Sequence, residues 1–209
     1  MSRQSQPGRH ISPRYTTDDW RALNLDDPHS ADWSKAVDIL MDRIKGRYLN
    51  PVDAIQRHED SQVAEFSGFV IIAIDCLLIE TLFQFFKGTR ETVGLHKDAF
   101  VAFFQDSEFF APHFDTRQKG ELFYGHFRCG ILHQAQTKKR SLIRYGTGTM
   151  VQWAVEGDQE QGLVIDRKLF HAALEAEIGS YSARLREPVT EHDRILRGNF
   201  VKKMKFITE

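Results

Sequence analysis

An arginine and a histidine, Arg128 and His133, stand five residues apart in the largely apolar stretch FRCGILHQ. Histidine titrates near neutral pH and can take or give a proton, and arginine presents a planar fork of N–H groups to phosphate oxygens. Such a pair could move a proton and stabilise charge at a reacting phosphate. The two residues are therefore the first candidates for chemistry in this chain.

The spacing of this pair carries little weight by itself, because arginine and histidine are both common in the chain. An arginine followed after four to six residues by a histidine is expected about twice by chance, and four such pairs occur here. The other three lie in the polar N-terminal segment, in a loop at a helix end and across a proline. They are Arg3/His10, Arg90/His96 and Arg186/His192. Context therefore singles out Arg128 and His133, which lie within one predicted helix.

Two carboxylates, Asp75 and Glu80, lie in the long apolar segment FSGFVIIAIDCLLIETLFQFF and could partner Arg128. An unpaired buried charge is very costly, so Arg128 must meet a carboxylate, reach the surface or line a cleft. In a structural interpretation one carboxylate neutralises Arg128, and His133 bonds a backbone carbonyl. In a functional interpretation Asp75 and Glu80 orient Arg128 or His133. Five residues of α-helix rotate by about 140°, so Arg128 and His133 do not share a stripe, and both interpretations remain open.

His133 aligns instead with His126, Cys129 and Gly130, which raises the question of a metal site. Zinc requires three or four ligands with supporting groups, and no second cluster of ligands accompanies this stripe. We therefore expect neither a metal nor another cofactor.

The composition is that of an ordinary globular protein of 209 residues with a formal net charge of −1. This charge gives no general attraction for nucleic acid, so RNA contact would need a local basic patch. Cys76 and Cys129 both lie in apolar runs, which favours a reduced, cytoplasmic protein. The apolar segment 66–86 has the length of a membrane span, but each central acidic residue costs about 2.5–3.5 kcal/mol on insertion. We interpret it as a central core helix and expect no membrane partner.

Hydrophobic periodicity predicts a mainly α protein with one helical domain at 31–209, preceded by a polar, flexible tail at 1–30. The first helix is expected to end before Pro51, and the long apolar helix at Gly88. Asp166 and Thr190 are expected to cap the last two helices. A β-hairpin is expected at about 149–165, with EGDQEQ as its loop.

Several blocks of the chain together resemble the HEPN superfamily (higher eukaryotes and prokaryotes nucleotide-binding domain). The likeness rests on FYGHFRCGILHQAQ and GFVIIAIDCLLIETLFQFFKG, and extends to WSKAVDILMDRIKGRYLNPVDAI and NFVKKMKFI, so that it covers most of the chain from Trp33 onward. The resemblance implies a compact antiparallel helical bundle that forms a homodimer and brings two Arg–His motifs into one cleft. Arg128 and His133 occupy the positions of the motif arginine and histidine.

Many members of this superfamily are metal-independent endoribonucleases of bacterial antiviral defence or toxin–antitoxin systems. The resemblance thus implies attack by a ribose 2′-OH, with histidine moving protons, arginine stabilising the phosphate, and a 2′,3′-cyclic phosphate as product. Cys129 departs from the Asn, Asp or His common after the motif arginine. Ala135 stands where one toxin branch carries a tyrosine that a partner modifies, so that form of neutralisation is not expected, although another regulatory or antitoxin protein remains possible.

RNA backbone contacts are expected from basic residues that follow the motif helix, and stacking on bases from aromatic residues before it. The expected basic residues are Lys138, Lys139, Arg140 and Arg144, and the expected stacking residues are Tyr124 and His126. The alternative function is a non-catalytic module or partner subunit that binds RNA or a nucleotide in the same cleft. A third interpretation is a structural dimer in which Glu80 neutralises Arg128.

Overall fold

The computed structural model describes residues 8–157 and 159–209 and is mainly helical. Ten α-helices and three β-strands follow one another in these residues. They are α1 (Thr17–Arg21), α2 (Asp32–Ile44), α3 (Asn50–Gln56), α4 (Ser61–Phe66), α5 (Gly68–Lys87), α6 (His96–Asp106), α7 (Arg117–Phe123), α8 (Cys129–Gln134), β1 (Leu142–Arg144), β2 (Val151–Glu156), β3 (Gln159–Asp166), α9 (Arg167–Arg186) and α10 (Glu191–Thr208). The predicted mainly α fold is confirmed.

The long apolar helix α5 forms the centre of the fold and contacts α6, α8, α9, α10 and β1. It ends where predicted, because Gly88 adopts a left-handed conformation with φ 64° that favours glycine. Within the described part of the chain, α5 alone is long and apolar enough to cross a membrane, and 44% of its most apolar window is buried in the fold. Its two acidic residues both contact side chains of the protein. These contacts fit the interpretation of α5 as a core helix.

The predicted helix break before Pro51 is wrong, because α2 continues through a π-helical turn, Lys45–Leu49, into α3. In this turn the Asn50 N–H donates to the Lys45 carbonyl, one residue further back than in an α-helix. The wider turn changes the hydrogen-bond register just before Pro51, which has no N–H to donate. The proline is therefore accommodated at the start of α3.

Residues 8–30, which belong to the predicted N-terminal tail, are packed against the helical domain. Ile11 and Trp20 are buried, and Trp20 packs edge-on against Phe200 of α10. Arg21 donates to the Thr208 carbonyl at the end of α10. Ile11 and Trp20 thus hold this segment against the fold, although its mainly polar composition predicts little burial. The remaining part of the predicted tail, residues 1–7, lies outside the described residues.

The predicted hairpin is formed by β2 and β3, but it belongs to a three-stranded sheet with the order β1-β3-β2. The strand β1, which the sequence analysis does not predict, pairs in parallel with β3. The expected loop is also too long, because β3 already begins at Gln159. Asp166 caps α9 as predicted, and Thr190 forms a capping box with Asp193 at the start of α10.

Candidate functional site

Arg128 is placed by a helix that changes its geometry immediately before it. Between α7 and α8 the chain forms a π-helical turn, Tyr124–Arg128, in which the Cys129 N–H donates to the Tyr124 carbonyl. Phe123 and Phe127 are fully buried and stack with ring centroids 5.2 Å apart, so they fix this turn against the core. Isolated π turns often occur at functional sites. Here Arg128 is the last residue of the turn.

The guanidinium of Arg128 faces α5, where its Nη2 lies 3.6 Å from Oε2 of Glu80. It also lies 5.6 Å from the centre of the Tyr124 ring, in cation–π contact. Arg128 and Glu80 line a cavity of about 570 Å³ whose walls are otherwise mainly apolar. The Arg128 side chain keeps 19% of its surface exposed. This arginine is thus neither sealed in the core nor fully solvated, and it retains donors for an anion in the cavity.

The other oxygen of the Glu80 carboxylate holds a histidine, His96, at the first residue of α6. His96 Nδ1 lies 2.7 Å from Glu80 Oε1, and the buried Thr92 hydroxyl donates to the same oxygen. The His96 side chain is 36% exposed, and its Nε2 has no hydrogen-bond partner among the described residues. A carboxylate that holds one ring nitrogen orients the other nitrogen for proton transfer. Glu80 therefore connects the Arg128 guanidinium to the imidazole ring of His96.

The prediction that Asp75 supports Arg128 or His133 is wrong. Asp75 is fully buried, and its Oδ1 lies 2.6 Å from Nδ1 of His171 on α9. Because Asp75 and Glu80 are five residues apart on α5, they point about 140° away from each other. Only Glu80 faces the helix that carries Arg128.

His126 cannot stack on a base as predicted, because only 5% of its surface is exposed. Its Nδ1 lies 2.9 Å from the Ser141 hydroxyl oxygen, which also accepts the N–H of Leu163 in β3. Burial lowers the pKa of His126, and the nearby Lys139 and Lys138 lower it further. His126 therefore links the π turn to the sheet and does not contact solvent as a stacking residue would.

Tyr124 and Cys129, the two other residues predicted beside Arg128, lie next to each other. Burial raises the pKa of the Tyr124 hydroxyl, and its hydrogen bond with Cys129 raises it further. The Tyr124 ring packs edge-on against Phe100, so one edge is committed to the core. Cys129 is half-buried and has a free thiol. These contacts make Tyr124 a support for Arg128.

The predicted basic residues follow α8 in a segment that folds back on the helix. The Lys138 N–H donates to the His126 carbonyl, and the Gln136 N–H to that of Gly130. Lys139, Arg140 and Arg144 are exposed, and Arg144 lies in β1. The segment therefore presents cations close to the π turn.

His133 lies on α8 as predicted, but the structure does not bring it to Glu80. Its side chain is exposed and makes no hydrogen bond or ion pair with any residue that the structure describes. The preceding residue, Leu132, is the one that lines the Arg128 cavity. Within a single chain, the histidine connected to Arg128 is thus His96.

Sequence reasoning passed over His96 because its nearest arginine, Arg90, lies outside a helix. Arg90 is indeed uninvolved, since it pairs with Glu209 at 2.8 Å. The polar residues Thr92 and His96 follow the Glu80 helix closely in the sequence. Their spacing does not show that the loop folds back and brings both side chains to Glu80. Within residues 8–157 and 159–209, no group of three or more His, Cys, Asp or Glu is arranged to hold a metal ion.

Comparisons with family models, with curated proteins and with solved structures give no match for this chain.

Proposed function

We propose that this protein is a metal-independent endoribonuclease that cleaves RNA by attack of a ribose 2′-OH. The observation that carries the proposal is the arrangement around Glu80, whose two oxygens face Arg128 and His96. The Arg128 guanidinium would bind the scissile phosphate and stabilise the charge that develops on it. The resemblance of the surrounding helices to the HEPN superfamily supports the same chemistry.

Cleavage by this route needs a base for the 2′-OH and an acid for the departing 5′-oxygen. His133 has the role of motif histidine through the resemblance, and His96 is the histidine that Glu80 holds next to Arg128. With Nδ1–H donated to Glu80, Nε2 of His96 carries the lone pair that accepts a proton. We propose that His96 provides one of the two proton transfers and His133 of the partner subunit the other.

The proposed active form is a homodimer, and an exposed apolar surface beside Arg128 supports it. Val70 and Leu77 on α5 are 49% and 45% exposed, Leu132 on α8 is 53% exposed, and all three line the Arg128 cavity. Phe66, just before α5, is 73% exposed. Contiguous exposed apolar residues commonly mark an interface. A second copy seated here would cover this surface and face Arg128.

The test is to incubate the protein with end-labelled RNA in EDTA beside two variants, Arg128→Ala and His133→Ala. Loss of cleavage in Arg128→Ala, with its helical content and unfolding midpoint unchanged, is the expected result. Equal cleavage by the wild type and Arg128→Ala would contradict the proposal. Absence of cleavage by the wild type across a panel of RNAs, with and without cell extract as activator, would also contradict it.

The second candidate function is a module that binds RNA or a nucleotide without cleaving it. The exposed position of His133, without a contact to Glu80 or Arg128, favours this function. Here RNA affinity would fall in Arg128→Ala, while the wild type would leave the RNA intact. Measurements of RNA cleavage and RNA affinity on the wild type and Arg128→Ala therefore distinguish the two functions.

The proposed setting is the cytoplasm of a bacterium, in a defence or stress system with a regulatory or antitoxin partner. The cytoplasmic setting rests on the two cysteines in apolar runs, and the defence or stress role rests on the HEPN resemblance alone. Expression of the protein in a bacterium tests it, since the wild type should arrest growth and Arg128→Ala should not. Unimpaired growth with abundant folded wild-type protein would contradict it.

A further inference from the structure

A second cavity, of about 380 Å³, lies on a different part of the fold from the Arg128 site. It is enclosed by α3, by Tyr145 after β1, and by the first turns of α9. A volume of this order fits a small metabolite. The ionisable residues that line it are Asp53, Arg57, Tyr145, Lys168, His171 and Glu175.

His171 lines this cavity and is 2% exposed, and it is bound to the fully buried Asp75 behind it. Because Nδ1 faces Asp75, Nε2 lies on the far side of the ring, where it has no hydrogen-bond partner among the described residues. A buried polar atom without a partner is unusual in a folded protein. Because Nε2 is itself shielded from solvent, a ligand atom can reach it only when a side chain that lines the cavity moves aside.

The chemical character of that ligand atom follows from the shared proton of the pair. If the proton between the two residues sits on His171, the ring is an imidazolium and Nε2 carries a hydrogen. If the proton sits on Asp75, Nδ1 accepts it and the neutral ring again carries its hydrogen on Nε2. In both arrangements the pair has no net charge, whereas ionised Asp75 beside a neutral ring protonated on Nδ1 would bury a net negative charge, which is costly. Nε2 is thus a donor, and its natural partner is an oxygen acceptor.

Two charged residues on α9 flank His171 along the same face, Lys168 one turn before it and Glu175 one turn after it. Neither of them forms an ion pair with any residue in the described ranges. The other two charges of the cavity, Asp53 and Arg57, lie 3.4 Å apart and satisfy each other. The lining thus offers one uncommitted cation beside the N-terminal turn of α9 and one uncommitted carboxylate further along.

Tyr145 completes the cavity with an aromatic wall, and its side chain is 64% exposed. The Lys168 ammonium lies 6.0 Å and the Arg167 guanidinium 5.4 Å from its ring centre. Exposed side chains of this kind change rotamer within nanoseconds. Tyr145 and Lys168 can therefore move aside and admit a ligand to His171.

We propose that this cavity binds a small phosphorylated sugar, of the class of a pentose phosphate, either free or as part of a mononucleotide. The phosphate is held by Lys168 and by the N–H of His171 Nε2. Glu175 accepts hydrogen bonds from sugar hydroxyls, and Tyr145 packs on the ring. The site is independent of the proposed ribonuclease function, because Arg128, Glu80 and His96 take no part in it.

The experiment uses the full chain labelled with ¹⁵N at histidine, and follows the His171 ring nitrogens during titration. The probes are ribose 5-phosphate, adenosine 5′-monophosphate, ribose and inorganic phosphate, with calorimetry in parallel. Ribose 5-phosphate should shift the His171 Nε2 resonance and bind more tightly than ribose or inorganic phosphate. Tighter binding of adenosine 5′-monophosphate than of ribose 5-phosphate identifies a nucleotide as the source, and equal binding identifies the free sugar phosphate.

Two exposed substitutions test the assignment without disturbing the buried pair. Lys168→Ala should weaken the binding of ribose 5-phosphate by at least about tenfold, the typical loss for one charge-assisted hydrogen bond. The matched control Lys202→Ala, an exposed lysine on α10, should bind as the wild type does. The proposal is overturned if no probe shifts Nε2 at millimolar concentration. It is also overturned if inorganic phosphate binds as well as ribose 5-phosphate, or if both lysine variants bind alike.

Discussion

Nδ1 of His96 lies 2.7 Å from Oε1 of Glu80, although the two residues belong to different helices and are separated by a loop. The opposite oxygen of the same carboxylate lies 3.6 Å from Arg128. One carboxylate thus organises a cation and a titratable ring without joining them directly.

Replacement of His96 should show whether this histidine takes part in cleavage together with His133. We expect His96→Ala to reduce RNA cleavage by about 10²–10⁴-fold, the usual contribution of a positioned acid or base. The rate of RNA cleavage by His133→Ala should fall by a similar factor, because both histidines are assigned a proton transfer. His192→Ala is the matched control, because this exposed histidine belongs to one of the discounted Arg–His pairs. Initial rates under single-turnover conditions provide the measurement, and full activity in His96→Ala would remove it from the mechanism.

The apolar surface beside Arg128 should control the oligomeric state. Leu77 is 45% exposed on α5, so Leu77→Glu would place a charge in the middle of the proposed interface. We expect the wild type to sediment as a dimer and Leu77→Glu as a monomer with lowered RNA cleavage. Val189→Glu, a change at an 83% exposed position in the loop before α10, should leave the dimer intact. A monomeric wild type, or a dimeric Leu77→Glu, would show that this surface has another purpose.

Gly130→Ala should lower the stability of the protein, because a Cβ at this position would lie 2.5 Å from the carbonyl oxygen of Gln136. The segment carrying Lys138 would have to move away from α8, at a cost of about 1–3 kcal/mol. Gly179→Ala in α9 is the control, since its Cβ would meet nothing within 4 Å. That change should stabilise the protein by about 0.5–1 kcal/mol through helix propensity. Urea unfolding distinguishes the two, and equal midpoints would contradict the close packing of this segment.

Asp193 should make stability depend on pH on the acid side. Hydrogen bonds from the Thr190 backbone and from Arg184 hold the pKa of Asp193 below its usual value. A carboxyl with a lowered folded pKa adds stability above its unfolded pKa of about 4, and this stability is lost as the pH falls. Asp193→Asn should therefore be less stable than the wild type near neutral pH, because a neutral amide oxygen accepts weaker hydrogen bonds than a carboxylate does. The difference should shrink towards about pH 3.

Thermal unfolding of both proteins across this pH range checks the prediction. Asp26→Asn is the control, because Asp26 is an exposed carboxylate outside the helices. A constant difference between Asp193→Asn and the wild type at every pH would show that charge at this cap is unimportant.

Local sequence signals predict the fold where a single residue decides the structure. Gly88, Asp166 and Thr190 end or begin helices as expected, since a left-handed turn or a capping side chain acts within a few residues. The prediction from Pro51 is wrong, because the π turn before it lets the helix continue although the proline has no N–H to donate. The strand β1 is only three residues long, and its pairing with β3 depends on tertiary contact.

The candidate site is predictable only in part. Helical rotation alone shows that Asp75 and Glu80 cannot both face Arg128, but it does not say which one does. The approach of His96 to Glu80 depends on how the loop after Gly88 folds. The burial of His126 depends on Ser141, which arrives from beyond α8. Contacts of this kind depend on the packing of whole elements.

The central claim is that Arg128 belongs to a site that cleaves RNA through its own 2′-OH. The most direct measurement follows cleavage of a short RNA in EDTA, and compares it with the same RNA carrying a single 2′-deoxynucleotide at the cleaved position. We predict a 2′,3′-cyclic phosphate and a 5′-hydroxyl from the RNA, and no cleavage at the deoxy position. Cleavage at the deoxy position, or products bearing a 5′-phosphate, would contradict the account.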